Sequence, residues 1–173
     1  MGEQEQGIRI YAACLAAYNN GHLHGAWIDA DQDAGEIQDK ITAMLAASPI
    51  KGAEEWAIHD YEGFEGAPIS EYQGIKSVAE LAAFIAEHGA LGGQVLAHFC
   101  GDLEESRSAL DEHYAGEYPS LAEFAREITE QSVIVPQNLD FYIDYDAMGR
   151  DMALCDVFTI ETGFEEIHVF WSY

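Results

Sequence analysis

The feature that most constrains this chain is an excess of acid spread along its whole length. Its 173 residues include 32 aspartates and glutamates but only 7 lysines and arginines, for a formal net charge of −25. The acids never form a long run, and the longest clusters are adjacent pairs such as Glu54-Glu55 and Glu104-Glu105. A solvating acidic tail is therefore excluded, and folded segments must carry the charge.

The remaining composition is that of a folded chain. Hydrophobic residues make up 49% and aromatic residues 12%, which argues against disorder. No apolar stretch is long enough to span a membrane, and the acidic start MGEQEQ lacks the basic and apolar regions of a secretory signal. Cys14, Cys100 and Cys155 are far apart and odd in number, which favours reduced thiols in a cytoplasmic protein over a disulfide framework. So acidic a surface repels nucleic acid and anionic membranes, and it attracts strongly basic surfaces.

The order of the predicted elements indicates an α+β fold in three small modules. Residues 1–67 read as a β-rich module with one helix, and residues 68–112 read as a helical module. Residues 113–173 read as an α+β module that ends in a β-hairpin joined near Thr162-Gly163. We expect these modules to be arranged lengthwise, as an elongated molecule.

Several helix boundaries can be predicted from local signals. A capping residue stands three places before a glutamate in Asp33-Glu36, Ser77-Glu80 and Ser120-Glu123. Gly89 predicts the end of the second of these helices. A longer helix is predicted over residues 138–154.

The stretch from residue 29 to residue 39 first suggests a calcium loop, because Asp29, Asp31 and Asp33 alternate. An EF-hand needs glycine at its sixth position and a bidentate glutamate at its twelfth. Counted from Asp29, these positions hold Ala34 and Lys40. A cation in place of the last ligand excludes calcium, and the stretch instead predicts a capped helix with an acidic face.

No other motif predicts a catalytic or cofactor site. The histidines lack zinc-like spacing, and the chain has no nucleophile elbow, P-loop or dinucleotide-binding fingerprint. We therefore predict no catalytic residue, no metal and no cofactor. A carboxylate-based or metal-dependent enzyme stays open as an alternative, as does a halophile-type domain poor in lysine.

The acid could instead imitate the phosphates of DNA. Duplex DNA carries one charge per roughly 1.7 Å, so the net charge of −25 corresponds to about 43 Å of duplex. A compact chain of this length has a diameter on the order of 40 Å. The candidate phosphate-imitating carboxylates are Asp29, Asp31, Asp33, Glu36, Asp39, Glu54, Glu55, Asp60, Glu62, Glu104, Glu105, Asp111, Glu112, Glu123, Glu127, Glu130, Asp140, Asp144 and Asp151.

Four stretches of the sequence resemble the ArdA antirestriction proteins. They are RIYAACLAAYNNG (9–21), HGAWIDA (24–30), EEWAIHDYEGF (54–64) and VPQNLDFYIDYDAMGRDM (135–152). The resemblance extends over most of the chain. Its most specific motifs are AIHDYE and YIDY-x-A-x-GRD.

The resemblance implies a three-module protein encoded on mobile genetic elements. Such a protein mimics DNA, occupies the DNA site of type I restriction-modification enzymes, and often forms a homodimer through its C-terminal module. Residues 135–152 match the family's antirestriction motif, near the expected subunit contact. The motif or contact residues implied here are Val135, Pro136, Phe141, Tyr142, Tyr145, Gly149 and Arg150.

The apolar residues of that region allow two interpretations. Phe141, Tyr145, Met148 and Met152 are spaced like the buried stripe of a helix, and they would equally suit packing across a dimer contact. Gly149 costs a helix about 1 kcal/mol relative to alanine, which indicates a close approach of two backbones at that point.

Overall fold

The computed structural model of the protein describes residues 7–172. The MGEQEQ start, from which we expect no secretory signal, lies outside the described residues, as does Tyr173. The chain divides into two compact units, Met1–Leu103 (unit 1) and Glu104–Tyr173 (unit 2). Helices and a three-stranded sheet occur in each unit, which confirms the α+β fold class. The lengthwise arrangement and the finer division into three modules stay predictions.

Unit 1 is built on a three-stranded antiparallel sheet. In chain order its elements are β1 (Arg9–Cys14), α1 (Leu15–Asn19), β2 (Gly25–Asp29), α2 (Ala34–Ala46), β3 (Trp56–Glu62) and α3 (Ile75–His98). The central strand β1 pairs with β2 on one side and β3 on the other. Helix α2 buries Ile37, Ile41 and Met44 on one face, and exposes Glu36 and Asp39 on the other. The predicted amphipathic helix is therefore confirmed.

Helix α3 is broken at Gly89, whose φ of 62° and ψ of −147° are not helical. The predicted end of a helix at this glycine is therefore confirmed, and a second helical stretch follows directly. The capping box predicted at Ser77 is wrong, because α3 already begins at Ile75 with Gly74 as its N-cap. The Ser77 hydroxyl instead accepts a hydrogen bond of 2.9 Å from the side-chain amide of Gln73. Among the described residues, no helix is long and apolar enough to cross a membrane.

The capping box predicted at the start of α2 does not form either. Asp33 is the N-cap residue, but its carboxylate makes no capping hydrogen bond. Its backbone carbonyl instead accepts hydrogen bonds from the amides of Glu36 (3.0 Å) and Ile37 (3.2 Å). The Asp33 side chain is consequently left exposed to solvent.

Unit 2 contains a second three-stranded antiparallel sheet. Together with the helix at its start, its elements are α4 (Leu103–Ser108), a π-helical turn (Ala109–His113), β4 (Tyr114–Tyr118), α5 (Leu121–Ser132), α6 (Gln137–Asp140), α7 (Tyr145–Cys155), β5 (Val157–Gly163) and β6 (Glu166–Trp171). Strand β6 lies between β4 and β5. Phe124, Val157 and Val169 form a buried cluster that joins α5 to the sheet.

Two local predictions in unit 2 are confirmed. Ser120 caps α5, and its hydroxyl accepts a hydrogen bond of 3.2 Å from the amide of Glu123. Strands β5 and β6 form the predicted hairpin. Its turn lies just beyond the predicted position, at residues 164–165, because Gly163 pairs with Glu166.

The single helix predicted over residues 138–154 is wrong, because α6 and α7 are separate helices. The Asp144 side chain accepts a hydrogen bond of 2.9 Å from the amide of Ala147, and this cap starts a new helix. Tyr145 is buried, as a core stripe would require, whereas Phe141 is 90% exposed. The predicted stripe therefore begins one turn later, at Tyr145.

Candidate functional site

Nearly all of the candidate carboxylates are exposed side chains. Only Glu62 and Asp140 are half-buried, and every other member of the set is exposed. Because the chain has 32 acids and 7 lysines and arginines, its own cations cannot neutralise most of this surface. The exposed carboxylates lie in both units, so neither unit alone carries the charge.

Each half-buried carboxylate is paired with an arginine of the same unit. In unit 1, Arg9 on β1 forms an ion pair with Glu62 on β3, and the two strands are neighbours in the sheet. The Arg9 guanidinium also lies over the Trp27 ring, 5.1 Å from its centroid. This pairing satisfies Glu62 within the fold, so it is less available to a partner than the exposed acids.

In unit 2, Arg126 on α5 holds the second half-buried carboxylate. Its guanidinium lies 3.6 Å from Asp140 and 4.7 Å from the centroid of the Tyr145 ring. The Tyr145 hydroxyl donates a hydrogen bond of 3.0 Å to Asp140. Burial raises the pKa of Tyr145 above its ordinary value, and the hydrogen bond to Asp140 and its charge act in the same direction. These contacts tie α5, α6 and α7 together.

Helix α5 carries an ordered row of acid on its outer face. Glu123, Glu127 and Glu130 are exposed, while Phe124 and Ala125 are buried on the opposite face. Carboxylates three and four residues apart on a helix are about 5–6 Å from one another. Helix α5 therefore presents fixed negative charges at regular intervals along one exposed face.

The aspartates that suggested a calcium loop lie at open surfaces. Asp29 and Asp31 line a groove of about 1070 Å³ together with Glu65. Lys40, the residue at the twelfth loop position, donates a hydrogen bond of 2.9 Å to the side-chain oxygen of Gln32. Within residues 7–172, no group of three or more histidines, cysteines or carboxylates is arranged to hold a metal ion.

The residues implied by the antirestriction motif fall into an exposed part and a buried part. Phe141 is 90% exposed and Tyr142 81% exposed, and their rings contact each other edge to face. With the exposed Val133, Ile134 and Leu139 they form what we call the apolar segment, residues 133–142. Val135 is half-buried in this segment, and Pro136 is the exposed N-cap of α6. Arg150 is exposed on α7.

The buried part of the motif supports the contact between α5 and α7. Gly149 is buried, and a Cβ atom on it would lie 2.8 Å from the carbonyl oxygen of Leu121. The close backbone approach predicted at Gly149 is therefore confirmed. Tyr145 is also buried, against Arg126. Both residues hold α7 in place within unit 2.

Sequence reasoning missed the exposure of several apolar side chains. Ile134 is 97% exposed and Phe164 91% exposed, although both stand in apolar stretches that resemble strand or core residues. It also missed Arg126, because the partners Asp140 and Tyr145 lie on other elements. The one signal available was that Arg126 is the only cation in α5.

Together, the two units define a strongly acidic α+β protein with a surface dominated by unneutralised carboxylates. The family model described as antirestriction protein (ArdA) matches residues 10–166, nearly the whole chain. The chain therefore belongs to the ArdA antirestriction protein family. No curated protein matches it significantly.

Proposed function

We propose that the protein is a non-enzymatic DNA mimic, which blocks type I restriction-modification enzymes by occupying their DNA-binding site. Membership of the antirestriction family supports the biological role. Such a mechanism depends on surface charge, and it requires no catalytic residue, metal or cofactor. The protein would act in the cytoplasm, where those enzymes meet foreign DNA.

The observation that carries the proposal is the exposure of the candidate carboxylates in both units. A protein that binds DNA uses lysines and arginines on the phosphate backbone, and this electrostatic term dominates non-specific affinity. Side chains such as Glu123, Glu127 and Glu130 offer the lysines and arginines of such a DNA site an array of fixed negative charges. The binding of the protein to the enzyme would consequently not depend on which DNA sequence that enzyme recognises.

We further propose that two copies associate through the apolar segment. Large exposed apolar patches are uncommon on monomeric proteins and often mark interaction sites. Phe141, Tyr142 and Ile134 are 90%, 81% and 97% exposed, and they lie within one short segment. An isologous contact would bury these side chains, with the buried Tyr145 and Gly149 supporting the segment from within unit 2.

The test is a competition assay between the protein and duplex DNA for a purified type I methyltransferase. We expect the protein to displace DNA at low salt, and its own affinity for the enzyme to fall as salt rises, because binding is electrostatic. The measurement is the binding constant by fluorescence anisotropy over a series of salt concentrations.

Two results would contradict the mechanism. Affinity that does not weaken with added salt would show that charge imitation is not the basis of binding. Loss of the fold at low salt, followed by circular dichroism, would favour a halophile-type domain instead.

A further inference from the structure

A small pocket in unit 1 combines aromatic rings with carboxylates. It has a volume of about 420 Å³ and is lined by Leu15, Glu54, Glu55, Trp56 and Tyr72. The ring of Tyr72 is 71% exposed, Trp56 is half-buried, and both glutamates are exposed. We call it the Trp56–Tyr72 pocket.

The walls of the pocket are held in place by the sheet. Trp56 is the first residue of β3 and pairs with Cys14 on β1. The carbonyl oxygen of Glu55 accepts a hydrogen bond of 3.0 Å from the amide of Leu15. On the other side, the residue before Tyr72 is fixed by a 2.8 Å hydrogen bond from the amide of Ile58 to the carbonyl of Glu71. The backbone on both sides of the pocket is therefore fixed before any partner binds.

The same chain shows twice which cation suits this combination of groups. Arg9 lies over the ring of Trp27 while it pairs with Glu62. In unit 2, Arg126 lies over an aromatic ring and pairs with a carboxylate in the same way. In the described part of the chain, by contrast, no lysine or arginine forms an ion pair with either glutamate of the Trp56–Tyr72 pocket.

We propose that the Trp56–Tyr72 pocket binds the guanidinium group of an arginine from the DNA site of the target enzyme. This inference rests on the proposed function and names one contact within it. A guanidinium is planar and weakly hydrated, so it can stack on an aromatic ring while its N–H groups donate to a carboxylate. The ammonium of a lysine is a compact and strongly hydrated charge, and it suits the pocket less well.

The pocket is tested first without the enzyme, by following the indole N–H signal of Trp56 in NMR spectra. The probes are N-acetyl-arginine amide and N-acetyl-lysine amide at equal ionic strength, and the signal is assigned with Trp56→Phe. We expect arginine amide to shift the signal at concentrations where lysine amide does not. Tyr72→Ala should abolish the selectivity and Tyr72→Phe should keep it.

A matched pair of double variants separates the pocket from general charge. Glu54→Gln/Glu55→Gln and Glu36→Gln/Asp39→Asn remove the same charge from exposed positions of unit 1. We expect only the first to lose the arginine-induced shift. Equal shifts with the two amides, or a selectivity that survives Tyr72→Ala, would overturn the proposal.

The competition assay then tests the pocket in the complex. Because Tyr72→Ala leaves the net charge unchanged, we expect its affinity for the methyltransferase to fall about two- to fivefold through the lost stacking. If the wild type displaces DNA and Tyr72→Ala does so equally well, the pocket has no part in the complex and this inference alone fails. If the wild type displaces no DNA while the NMR selectivity holds, the proposed function fails and the arginine site stands.

Discussion

Gly149 shows at the scale of one residue how closely two helices of unit 2 approach. A Cβ there would lie 2.8 Å from a backbone oxygen of Leu121, which can move only if α5 shifts. We expect Gly149→Ala to destabilise the protein by about 1–2 kcal/mol, because overpacking costs about 1–3 kcal/mol and helix propensity returns at most about 1. Urea unfolding followed by circular dichroism measures the change.

Gly35 provides the control for that substitution. It lies in α2, and a Cβ on it would meet no atom within 4 Å. We expect Gly35→Ala to stabilise the protein by up to about 1 kcal/mol, since only the propensity term remains. If Gly35→Ala and Gly149→Ala change the free energy of unfolding in the same direction, packing at Gly149 is not the deciding factor.

Three tyrosines of unit 2 make its stability sensitive to alkaline pH. Burial is the largest cause that raises the pKa of Tyr114, Tyr118 and Tyr145 above the ordinary value of 10.0. The charge of Glu117 raises the pKa of Tyr114 further, and the charge of Glu127 raises the pKa of Tyr118 further. In the folded protein these hydroxyls therefore keep their protons to higher pH than in the unfolded chain.

The sign of the pH dependence follows from linkage. Above about pH 10 the unfolded chain loses these protons first, so it binds fewer protons than the folded protein and the free energy of unfolding falls. The tyrosines' contribution is complete below pH 10 and disappears as pH rises through the raised values. We expect Tyr118→Phe to flatten the fall between pH 10 and higher pH, measured by urea unfolding at each pH. An unchanged slope would contradict the assignment.

At the scale of one element, α5 shows that the same charge change can have opposite effects on stability. Glu123 lies in the first turn, where the helix dipole favours a carboxylate. Glu127 and Glu130 lie towards the other end, which has no basic residue in its last turn. The two carboxylates repel each other, and Glu130 also lies near the negative end of the helix dipole. Each effect costs a few tenths of a kcal/mol.

We therefore expect Glu127→Gln/Glu130→Gln to raise the free energy of unfolding by about 0.5 kcal/mol and yet to weaken competition with DNA. Glu123→Gln is the matched control, and it should lower the free energy of unfolding slightly. Thermal unfolding and the competition assay are measured on the same samples. A double variant that is less stable and equally inhibitory would contradict both arguments.

The apolar segment, residues 133–142, is the proposed contact between two copies of the protein. We expect Phe141→Ser/Tyr142→Ser to raise the dimer dissociation constant by at least about 30-fold, because buried aromatic anchors contribute about 2 kcal/mol or more at protein interfaces. Sedimentation equilibrium measures this constant. Monomer stability should change little, since the two side chains are 90% and 81% exposed.

Leu23 supplies the control for the dimer contact. It is 92% exposed in unit 1, outside the apolar segment. Leu23→Ser should leave the dissociation constant unchanged. If both variants have the same effect, or if the double serine variant still forms the dimer as tightly as the wild type, the contact lies elsewhere.

At the scale of the whole molecule, the net charge of −25 is a distributed property. An exposed charge contributes at most about 1 kcal/mol to an interaction. We therefore expect Asp39→Asn, Glu123→Gln and Asp151→Asn each to change the inhibition constant by less than about fivefold. Neutralising about eight exposed carboxylates across both units should abolish inhibition in the competition assay. An enzyme would instead be inactivated by one such change.

How much could be predicted depended on the range of the interactions involved. The cap at Ser120 and the amphipathic pattern of α2 concern residues a few positions apart, and both predictions hold. The capping boxes at Asp33 and Ser77 failed although their spacing was suitable. The spacing shows that a bond is within reach, while the backbone entering the helix decides whether it forms. The long helix failed because Asp144 caps a new start in the middle of an apolar pattern.

By itself the sequence determined the family, the acid excess and most elements, since each of these depends on composition or on neighbours along the chain. Only the tertiary structure decided which acids are neutralised. Glu62 is paired with an arginine 53 residues away, and Asp140 with one on a different helix. It also decided that Phe141 and Tyr142 are exposed while Tyr145 is buried. A periodic pattern marks which residues share a face of one element, but the packing of several elements determines whether that face is covered.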